Sequence, residues 1–380
     1  MRAVSVIGVG MTPFGKHDAT IKSLAVAACR EALADAGQPR IDAVYVGNFM
    51  GGQLAEQEIL GSMLANELGL GPIPAAKMEG ACASGGIAFR QAYHMVAAGL
   101  CDTVLVVGVE KMTHAATSQV THAINAAMDN DSNEGVSGLT FPGFFGVVAN
   151  RYMYETGAEK KHLAMVALKN RSYAVNNPKA QFRKPATLDE IMQARMVTDP
   201  LGLFDCSPIS DGAAAVVITA GDKGVNVLAS AQASGPPLMQ EIPDLLRIGA
   251  IEEAGQQAYE QAGLGPEDVD VVEIHDCFSM TEILATEALG FCAKGTGWQA
   301  VEQGLTGHNG KVPVNTSGGL LSRGHPIGAT GLSQIVQIVS QLRGSAPNQV
   351  ERARIGLAQN LGGTGAFATV HIFAGKGGLA

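Results

Sequence analysis

The sequence has few charged residues, few aromatic residues and no large basic cluster. Charged residues make up 16% and aromatic residues 5% of the 380 positions, whereas hydrophobic residues make up 46% and glycine occurs 48 times. The net charge of −9 argues against nucleic acid as a partner. This composition predicts tightly packed layers of small side chains and excludes a disordered or fibrous chain.

Long apolar runs and cysteine motifs are also missing. No apolar run reaches membrane-spanning length without interruption, and the first residues lead directly into a strand pattern, which leaves no room for a signal peptide. The cysteines show neither CxxC spacing nor the framework of a small secreted protein. They are Cys29, Cys82, Cys101, Cys206, Cys277 and Cys292. These absences predict a cytoplasmic enzyme with reduced thiols and no membrane partner.

The most informative segment is residues 315–331, which reads Asn-Thr-Ser-Gly-Gly-Leu-Leu-Ser-Arg-Gly-His-Pro-Ile-Gly-Ala-Thr-Gly. Gly324 and Pro326 flank His325 and predict a turn that aims the imidazole. The other glycines let backbone N–H groups approach a substrate closely. A histidine that merely caps a helix is the alternative that this segment leaves open.

A second segment, residues 80–86, reads Gly-Ala-Cys-Ala-Ser-Gly-Gly and surrounds Cys82 with small residues. It follows a predicted extended segment and precedes a helix-like run, residues 87–98. The positive end of a helix dipole favours a thiolate, so Cys82 is a candidate nucleophile. A buried structural cysteine is the commoner alternative. The presence of the Gly-His-Pro turn in the same chain favours a nucleophile with its base.

Two further polar segments follow predicted buried strands. His275-Asp-Cys277-Phe278 lies at the carboxyl end of one strand, where open α/β sheets bind ligands. The segment 360–365, Asn-Leu-Gly-Gly-Thr-Gly, offers backbone N–H groups to an oxyanion. A metal site built from His275, Cys277 and Cys292 is the alternative, but the spacings match no zinc pattern, so no metal is expected. A strand-end histidine held by its neighbours also remains open.

The chain repeats its own plan. Residues 27–49 and 254–278 each predict a helix that ends at a glycine, Gly37 or Gly263, and an apolar strand soon after. Continuous apolar strands between helices predict mostly parallel sheets covered by helices. Residues 113–200 interrupt the pattern with prolines and polar residues, which is typical of an inserted lid.

Along essentially its whole length the chain resembles the thiolase superfamily. The resemblance depends on the motifs Ala-Cys82-Ala-Ser-Gly, Ser210-Asp-Gly-Ala-Ala, Asn315-Thr-Ser-Gly-Gly and Gly324-His325-Pro-Ile-Gly-Ala-Thr-Gly. It implies an α/β fold of two duplicated βαβαβαββ halves in five layers, α-β-α-β-α, and assembly as a homodimer or tetramer. The first half is then formed by residues 1–112 and 201–235, the inserted loop domain by 113–200, and the second half by 236–380.

Two departures point to a subgroup. The common degradative thiolases carry Asn-Glu-Ala-Phe where this chain has His275-Asp-Cys277-Phe278, the HDCF pattern. They carry Cys-x-Gly where this chain has Asn360-Leu-Gly362. This exchange, together with the loop segment 176–182, resembles the sterol-carrier-protein-2-type and archaeal-type thiolases.

The resemblance implies an acetyl-CoA C-acyltransferase that cleaves a 3-oxoacyl-CoA or runs the reverse Claisen condensation. Cys82, assisted by His325, would form the acyl-enzyme, and Cys277 would remove the α-proton during condensation. His275 and His325 would contact the thioester oxygen of the enolate. The backbone N–H groups of Cys82 and Gly362 would bind the oxyanion of the acyl-enzyme. Coenzyme A is a substrate of this reaction, and no cofactor is expected.

The same resemblance implies that CoA binds over the loop domain. The candidate CoA-binding residues are Lys169, Arg171, Lys179, Arg183 and Ser317. A solvated basic face is the alternative for the four cations. The run 141–145, Phe-Pro-Gly-Phe-Phe, is a candidate lining of an acyl pocket, and short, branched and aromatic acyl groups all remain open.

Two related functions are alternatives. A ketoacyl synthase needs a His-His or His-Asn arrangement beside its cysteine, which the pairing of Cys277 with His325 fits poorly. A non-thiolytic aldolase of this fold typically lacks the nucleophile, against which Cys82 argues. Dependence on a small zinc-ribbon/OB-fold accessory subunit remains open.

Overall fold

A computed structural model describes residues 2–375 and 377 of the chain. Val-, Ile- and Ala-rich runs form buried strands, because β-branched and small side chains pack well on a pleated surface. Within the described residues the strands are β1 Val4–Met11, β2 Ala43–Gly47, β3 Ala75–Met78, β4 Thr103–Glu110, β5 Met196–Thr198, β6 Leu201–Gly202, β7 Gly212–Ala220, β8 Val225–Ser234, β9 Val271–Glu273, β10 Ile355–Gly362 and β11 Phe367–Ala374.

The helices are rich in alanine, which has the highest helix propensity. Several begin at a capping hydroxyl, as where Thr20 accepts from the N–H of Ser23. In the part of the chain that the structure covers, the α-helices are α1 Ile21–Asp35, α2 Gly51–Ala55, α3 Leu60–Glu67, α4 Ser84–Ala97, α5 Thr117–Ile124, α6 Asn133–Val136, α7 Phe141–Thr156, α8 Lys160–Ala174, α9 Leu188–Met192, α10 Gly249–Ala262, α11 Ser279–Ala288, α12 Gly297–Glu302 and α13 Thr330–Leu342.

Nine strands form one sheet in the order β3-β2-β4-β7-β1-β8-β11-β10-β9. Its two halves meet where β1 pairs with β8. Outward from this junction each half repeats one scheme: β1–β7 matches β8–β11, β7–β4 matches β11–β10, and β4–β2 matches β10–β9. The β2–β3 pair is matched by a parallel bridge between Val272 and Val314. The predicted duplication is therefore confirmed.

The expectation of mostly parallel sheets was wrong. In each half the inner pairs are antiparallel (β1–β7 and β7–β4, and β8–β11 and β11–β10). Only the outer pairs, such as β4–β2 and β10–β9, are parallel. The reason for β11 is local, because it follows β10 through the short turn 363–366, and a tight turn joins only antiparallel strands. The strand β7 enters after the loop region and not after a helix that covers the sheet.

Three buried clusters define five layers. Helices α1 and α3 cover the outer face of the first half, α4 and α13 lie between the halves, and α10 and α11 cover the outer face of the second half. Strand alternation explains this, since Val104 and Val106 face the central helices whereas Leu105 and Val107 face the outer ones. The α-β-α-β-α order is therefore confirmed.

The elements α5 to α9, with β5 and β6, lie between β4 and β7 in the sequence. Helices α7 and α8 pack against the second half, where Phe144 and Val148 join the cluster that contains Met280. The division at 112, 200 and 235 stays a prediction, and β8, which precedes position 235, pairs over its length with β11 of the second half. Positions 1 and 378–380 of that division lie outside the described residues.

Among residues 2–375 and 377, no helix combines the length and the apolar character needed to cross a membrane.

Candidate active site

A cavity of about 480 Å³ lies where the ends of β9 and β10 meet the start of α4. Neighbouring parallel strands end at the same edge of a sheet, which is where open α/β sheets bind ligands. The loop region closes the other side with residues from α5, α7 and β5. The lining residues are Cys82, Thr121, Ile124, Asn125, Thr140, Phe141, Pro142, Gly143, Val197, Thr198, Cys206, Ser207, Ile209, His275, Cys277, Phe278, His325, Ile327 and Gly363.

Cys82 lies on a single 3-10 turn that joins β3 to α4. Ala81 precedes it with a φ of 50°, a left-handed conformation that small side chains tolerate best. A Cβ on Gly85 would lie 2.9 Å from the carbonyl oxygen of Gly328. Because glycine stands there, the start of α4 approaches the turn that leads into α13. The cysteine of one half and the histidine segment of the other are thereby brought together.

His325 lies between a π-helical turn, Gly319–Arg323, and the start of α13. Its backbone N–H donates to Oγ of Ser210 at 3.0 Å. The hydroxyl of Thr330 donates to the carbonyl of Pro326 at 3.0 Å and therefore accepts from Nδ1 of His325 at 2.7 Å. These contacts put the ring proton on Nδ1 and leave Nε2 unprotonated, as a base requires.

His275 and Cys277 lie in the loop between β9 and α11. The backbone N–H of His275 donates to Oε1 of Gln359 at 3.0 Å, and the amide of Asn360 donates to its Nδ1 at 2.9 Å. The ring proton of His275 is therefore on Nε2. The sulfur of Cys277 lies 3.8 Å from Oγ1 of Thr281 and lines the cavity. The site thus combines one imidazole that accepts a proton with one that donates a hydrogen bond.

Three of the predicted residues converge closely. Sγ of Cys82 and one ring nitrogen each of His275 and His325 lie within 4.8 Å of one another. The two imidazole rings are 5.1 Å apart and nearly perpendicular, at 86°. A metal ion would need an unprotonated nitrogen from both rings, whereas His275 presents an N–H. The trio is better suited to a thiol nucleophile with a base and an oxyanion donor.

Burial controls the protonation of the Cys82–His325 pair. Burial raises the pKa of Cys82 to about 12, and the charges of Glu110 and Glu79 add to this effect. Burial lowers the pKa of His325 to about 3, and the Arg323 charge acts in the same direction. Desolvation and the neighbouring carboxylates thus favour the thiol of Cys82, against the helix dipole, which favours the thiolate.

Burial also shifts the pKa values of His275 and Cys277. Burial holds the pKa of His275 well below its usual value, helped by the charges of His325 and Arg323. Burial and the Cys82 charge hold the pKa of Cys277 well above its usual value. Both thiols and both imidazoles are therefore neutral near pH 7, and a proton must move while the sulfur attacks.

This electrostatic state predicts the pH dependence of Cys82 alkylation. We expect the rate of iodoacetamide modification of the Cys82 peptide, measured by mass spectrometry, to rise about tenfold per pH unit through pH ~9.5, because the thiolate fraction keeps growing below a pKa of about 12. Glutathione, as a control with an ordinary thiol, should level off above pH ~9. A plateau for Cys82 between pH ~5 and ~8 would instead show a preformed thiolate–imidazolium pair.

The backbone donors differ from the prediction by one residue. The N–H groups of Cys82 and Gly363 are directed at the Cys82 sulfur. They lower the pKa of the thiol, but burial raises it by more. Gly362 still pairs with Phe367 inside the sheet, and a Cβ there would lie 2.3 Å from the carbonyl of Gly80. Gly363, the first residue beyond β10, therefore lies where the sequence predicted Gly362 to act.

Both lysines among the predicted CoA-binding residues have partners elsewhere. The ammonium of Lys169 lies 3.0 Å from Glu282 and donates to the carbonyl of Val314 at 2.8 Å. The ammonium of Lys179 pairs with Glu31 at 3.2 Å. The structure brings neither to the cavity, because each side chain neutralises a carboxylate of the protein.

Ser317 is also buried, where it donates to Glu273 at 2.6 Å. Arg171 and Arg183, in contrast, line a second cavity of about 660 Å³ that shares Cys206 and Ser207 with the first. The residues around this second cavity are Arg171, Gln181, Phe182, Arg183, Lys184, Pro185, Ala186, Glu190, Leu203, Phe204, Cys206, Ser207, Pro208 and Leu321.

Arg171 is held in an unusual way in the second cavity. Its guanidinium lies over the rings of Phe182 and Phe204, with the central carbon 4.7 and 4.9 Å from their centroids. Within the described residues its Nε has no hydrogen-bond partner. A guanidinium held by two rings and lacking a carboxylate partner is suited to bind an anion.

The sequence did not identify every residue of the site. Phe141, with the two residues after it, lines the cavity as expected, whereas Phe144 and Phe145 are buried in the core. Thr330, which sets the tautomer of His325, was not predicted. Its signal was its position five residues after the histidine, and the structure places it at the start of α13.

Comparison with known proteins adds an independent result. Residues 4–222 match the family described as thiolase, N-terminal domain, and residues 231–375 match the family described as thiolase C-terminal domain-like. The acetyl-CoA acetyltransferase of Methanothermobacter thermautotrophicus is 47% identical to this chain, covering 98% of the chain and 100% of the relative.

Two other similarities are informative. Sterol carrier protein 2 of Rattus norvegicus is 37% identical, covering 96% of this chain and 70% of the relative. The solved structure of an Ltp2-ChsH2(DUF35) aldolase aligns with a TM-score of 0.85 and 27% identity, covering 99% of this chain and 98% of the other.

Proposed function

This chain belongs to the thiolase family and is an acyltransferase, and on that premise we propose that it works through an acyl-Cys82 intermediate. It cleaves a 3-oxoacyl-CoA with free CoA, or joins two acyl-CoA esters in the reverse Claisen condensation. The observation that carries the proposal is the convergence of the Cys82 sulfur with ring nitrogens of His275 and His325 within 4.8 Å.

In the cleavage direction, Nε2 of His325 takes the proton of Cys82 as the sulfur attacks the 3-keto carbon. The N–H groups of Cys82 and Gly363 stabilise the resulting oxyanion. The carbon–carbon bond then breaks, its electron pair forms the enolate of acetyl-CoA, and the shortened acyl group stays on Cys82. The Nε2–H of His275 donates to the enolate oxygen, and His325 contacts the same oxygen once it carries the proton. His325 then takes the proton of a second CoA thiol as that thiol attacks the acyl group, and passes the proton to the Cys82 sulfur as it leaves.

We assign the proton transfer at the α-carbon to Cys277. Its thiol protonates the enolate in cleavage and then regains a proton from His325. In condensation His325 takes the Cys277 proton, and the resulting thiolate removes the α-proton. The raised pKa of Cys277 supports the role in cleavage. The thiol stays protonated until the enolate forms, and the conjugate thiolate is a stronger base than that of an ordinary cysteine.

The size of the first cavity supports acyl groups larger than acetyl. Its volume of about 480 Å³ lies within the range of about 300–1,000 Å³ in which proteins bind drug-sized ligands. Ile124, Phe141 and Val197 make its wall apolar. We therefore propose that the cavity accepts short, branched or aromatic 3-oxoacyl groups in addition to acetoacetyl.

The second cavity is the proposed CoA site. It adjoins the first at Cys206 and Ser207, so a thioester chain could pass from one cavity to the other. Arg171, Arg183 and Lys184 line it and supply positive charge for phosphate groups. We propose these three residues as phosphate contacts and Phe182 as an apolar contact.

Arg171→Gln is expected to raise the KM for CoA about ten- to a hundred-fold, with kcat changed by less than about threefold, because one charge-assisted hydrogen bond contributes about 1.5–3 kcal/mol. Steady-state kinetics with varied CoA measures both constants. Arg40→Gln, at an arginine whose side chain is 92% exposed, is the matched control. A larger increase in Lys179→Gln than in Arg171→Gln would contradict this assignment.

The remaining proposals concern partners and compartment. We propose that CoA acts as substrate with no further cofactor and that the chain forms a homodimer or tetramer. Two reduced thiols in the mechanism, and six free cysteines, fit the reducing cytoplasm. The likeness to an Ltp2-ChsH2(DUF35) aldolase supports a test for an accessory subunit. We propose a small zinc-ribbon/OB-fold protein for that role.

The test of the function uses the purified chain alone with acetoacetyl-CoA and CoA. We expect two acetyl-CoA per cleavage, detected by chromatography, and no cleavage when CoA is omitted. Cleavage that does not need CoA would favour an aldolase. Activity that appears only after a partner protein is added would favour a subunit of a complex. Medium-chain and aryl 3-oxoacyl-CoA esters, assayed in parallel, define the acyl preference.

A further inference from the structure

Asp276 lies between the two candidate catalytic residues of its loop but does not reach the reacting atoms. Its side chain is 0% exposed and is directed away from the cavity that His275 and Cys277 line. A fully buried carboxylate is costly unless it is paired and hydrogen-bonded. Its contacts therefore indicate what it holds.

The Asp276 carboxylate binds the segment that leads to His325. Oδ1 accepts from the backbone N–H of Leu320 at 2.7 Å, and Oδ2 accepts from the N–H of Leu321 at 3.3 Å. Both donors belong to the π-helical turn Gly319–Arg323, which ends two residues before His325. One side chain thus joins the His275–Cys277 loop to the segment that carries the other histidine.

The turn is shaped to admit this carboxylate. A Cβ on Gly319 would lie 2.2 Å from Oδ2 of Asp276, and Gly319 also has a φ of 57°. Any other residue would push the carboxylate out of the turn. The fit between a glycine without a side chain and a fully buried acid is therefore specific.

Three neighbours complete the environment of Asp276. The amide of Asn170 donates to Oδ2 of Asp276 at 2.7 Å and to Glu282 at 2.9 Å. Lys169 lies 3.0 Å from Glu282 and supplies the positive charge. These contacts explain why Lys169, a predicted CoA contact, lies inside the protein.

We propose that Asp276 is a positioning residue that sets the distance between the Cys277–His275 loop and His325. This inference rests on the proposed function, because it assigns a role in that reaction. Without the two hydrogen bonds to the π-helical turn, the two loops lose their fixed separation. Both half-reactions then slow, while CoA binding in the neighbouring cavity is unchanged.

The test compares Asp276→Asn with Asp270→Asn. Asp270 lies at the opposite end of β9, and its carboxylate also accepts from two backbone N–H groups, those of Arg354 and Ile355, each at 2.8 Å. The two variants thus change the same kind of interaction on either side of one strand. We measure acetylation of Cys82 by acetyl-CoA, exchange of the acetyl-CoA α-protons in D2O, KM, and thermal stability.

For Asp276→Asn we expect both the acetylation rate and the α-proton exchange to fall on the order of a hundred-fold, with KM for CoA within about twofold, since small displacements of reacting groups have effects of this size. For Asp270→Asn we expect rates within about twofold of the unmodified protein. If Asp276→Asn does not fold, Asn170→Ser takes its place, because it removes one hydrogen bond to the same carboxylate. In Asn170→Ser the acetylation rate and the α-proton exchange should both fall several-fold, with KM for CoA unchanged.

The outcomes separate the two proposals. If the unmodified protein shows neither Cys82 acetylation nor exchange, the proposed function fails and the role of Asp276 fails with it. If the unmodified protein shows both and Asp276→Asn, or in its place Asn170→Ser, matches Asp270→Asn, the function stands and the positioning role is refuted. The positioning role is also refuted if the two rates fall in both aspartate variants in proportion to their loss of thermal stability.

Discussion

Cys82→Ser is expected to lower kcat for thiolysis on the order of 10⁴-fold and to abolish the acyl adduct on the Cys82 peptide. The reason is that a hydroxyl is a far weaker nucleophile than a thiol, and loss of a nucleophile removes the whole covalent route. Stopped reactions with acetyl-CoA, digestion and mass spectrometry detect the adduct. The rate is measured with acetoacetyl-CoA and saturating CoA.

Cys101→Ser is the matched control, because it makes the same change at a partly exposed cysteine outside the cavity. It should keep both the rate and the adduct within about twofold. An adduct on any cysteine other than Cys82 in the unmodified protein would overturn the assignment. A Cys82→Ser protein that keeps the thiolysis rate of the unmodified protein would overturn it as well.

Much of this site was predicted from the sequence because its chemistry is encoded in short segments. The segments around Cys82 and His325 each carry glycines whose absent side chains allow the close approach of α4 and α13. The family resemblance then supplied the fold, with its five layers. Each motif lies within a short stretch of sequence, so it can be recognised without the three-dimensional structure.

The errors arose where long-range structure decides. Lys169 is as basic as Arg171 in the sequence, and only the fold shows that one meets Glu282 while the other lies between two phenylalanine rings. Whether Gly362 or Gly363 directs its N–H at Cys82 depends on the residue at which β10 stops pairing with β11. The helix dipole predicted a thiolate at Cys82, but the degree of burial that overrides it is a property of the assembled fold.

The duplication explains why the reacting groups meet where they do. Helices α4 and α13 occupy equivalent positions in the two halves and lie side by side in the central layer. The segments that precede them carry Cys82 and His325, so the fold places the two helix starts, and with them the thiol and its base, at one edge. Cys277, the proposed α-proton base, lines the same cavity from the loop after β9, a neighbouring strand end.

Cys277→Ala is the second change with a large expected effect, and it should separate the two half-reactions. Removal of the base should lower α-proton exchange and acetoacetyl-CoA cleavage by about 10²–10⁴-fold, the usual contribution of a positioned acid or base. Acetylation of Cys82 by acetyl-CoA breaks no carbon–carbon bond, so its rate should change by less than about threefold. Exchange in D2O and burst acetylation measure the two steps separately.

Cys292→Ala, at a partly buried cysteine between α11 and α12, is the control and should leave both steps unchanged. A Cys277→Ala protein that cleaves acetoacetyl-CoA at an undiminished rate would refute the base assignment and shift attention to His275. Equal loss of acetylation and exchange would contradict it as well, because a thiol that acts only on the α-proton has no part in forming the acetyl-enzyme.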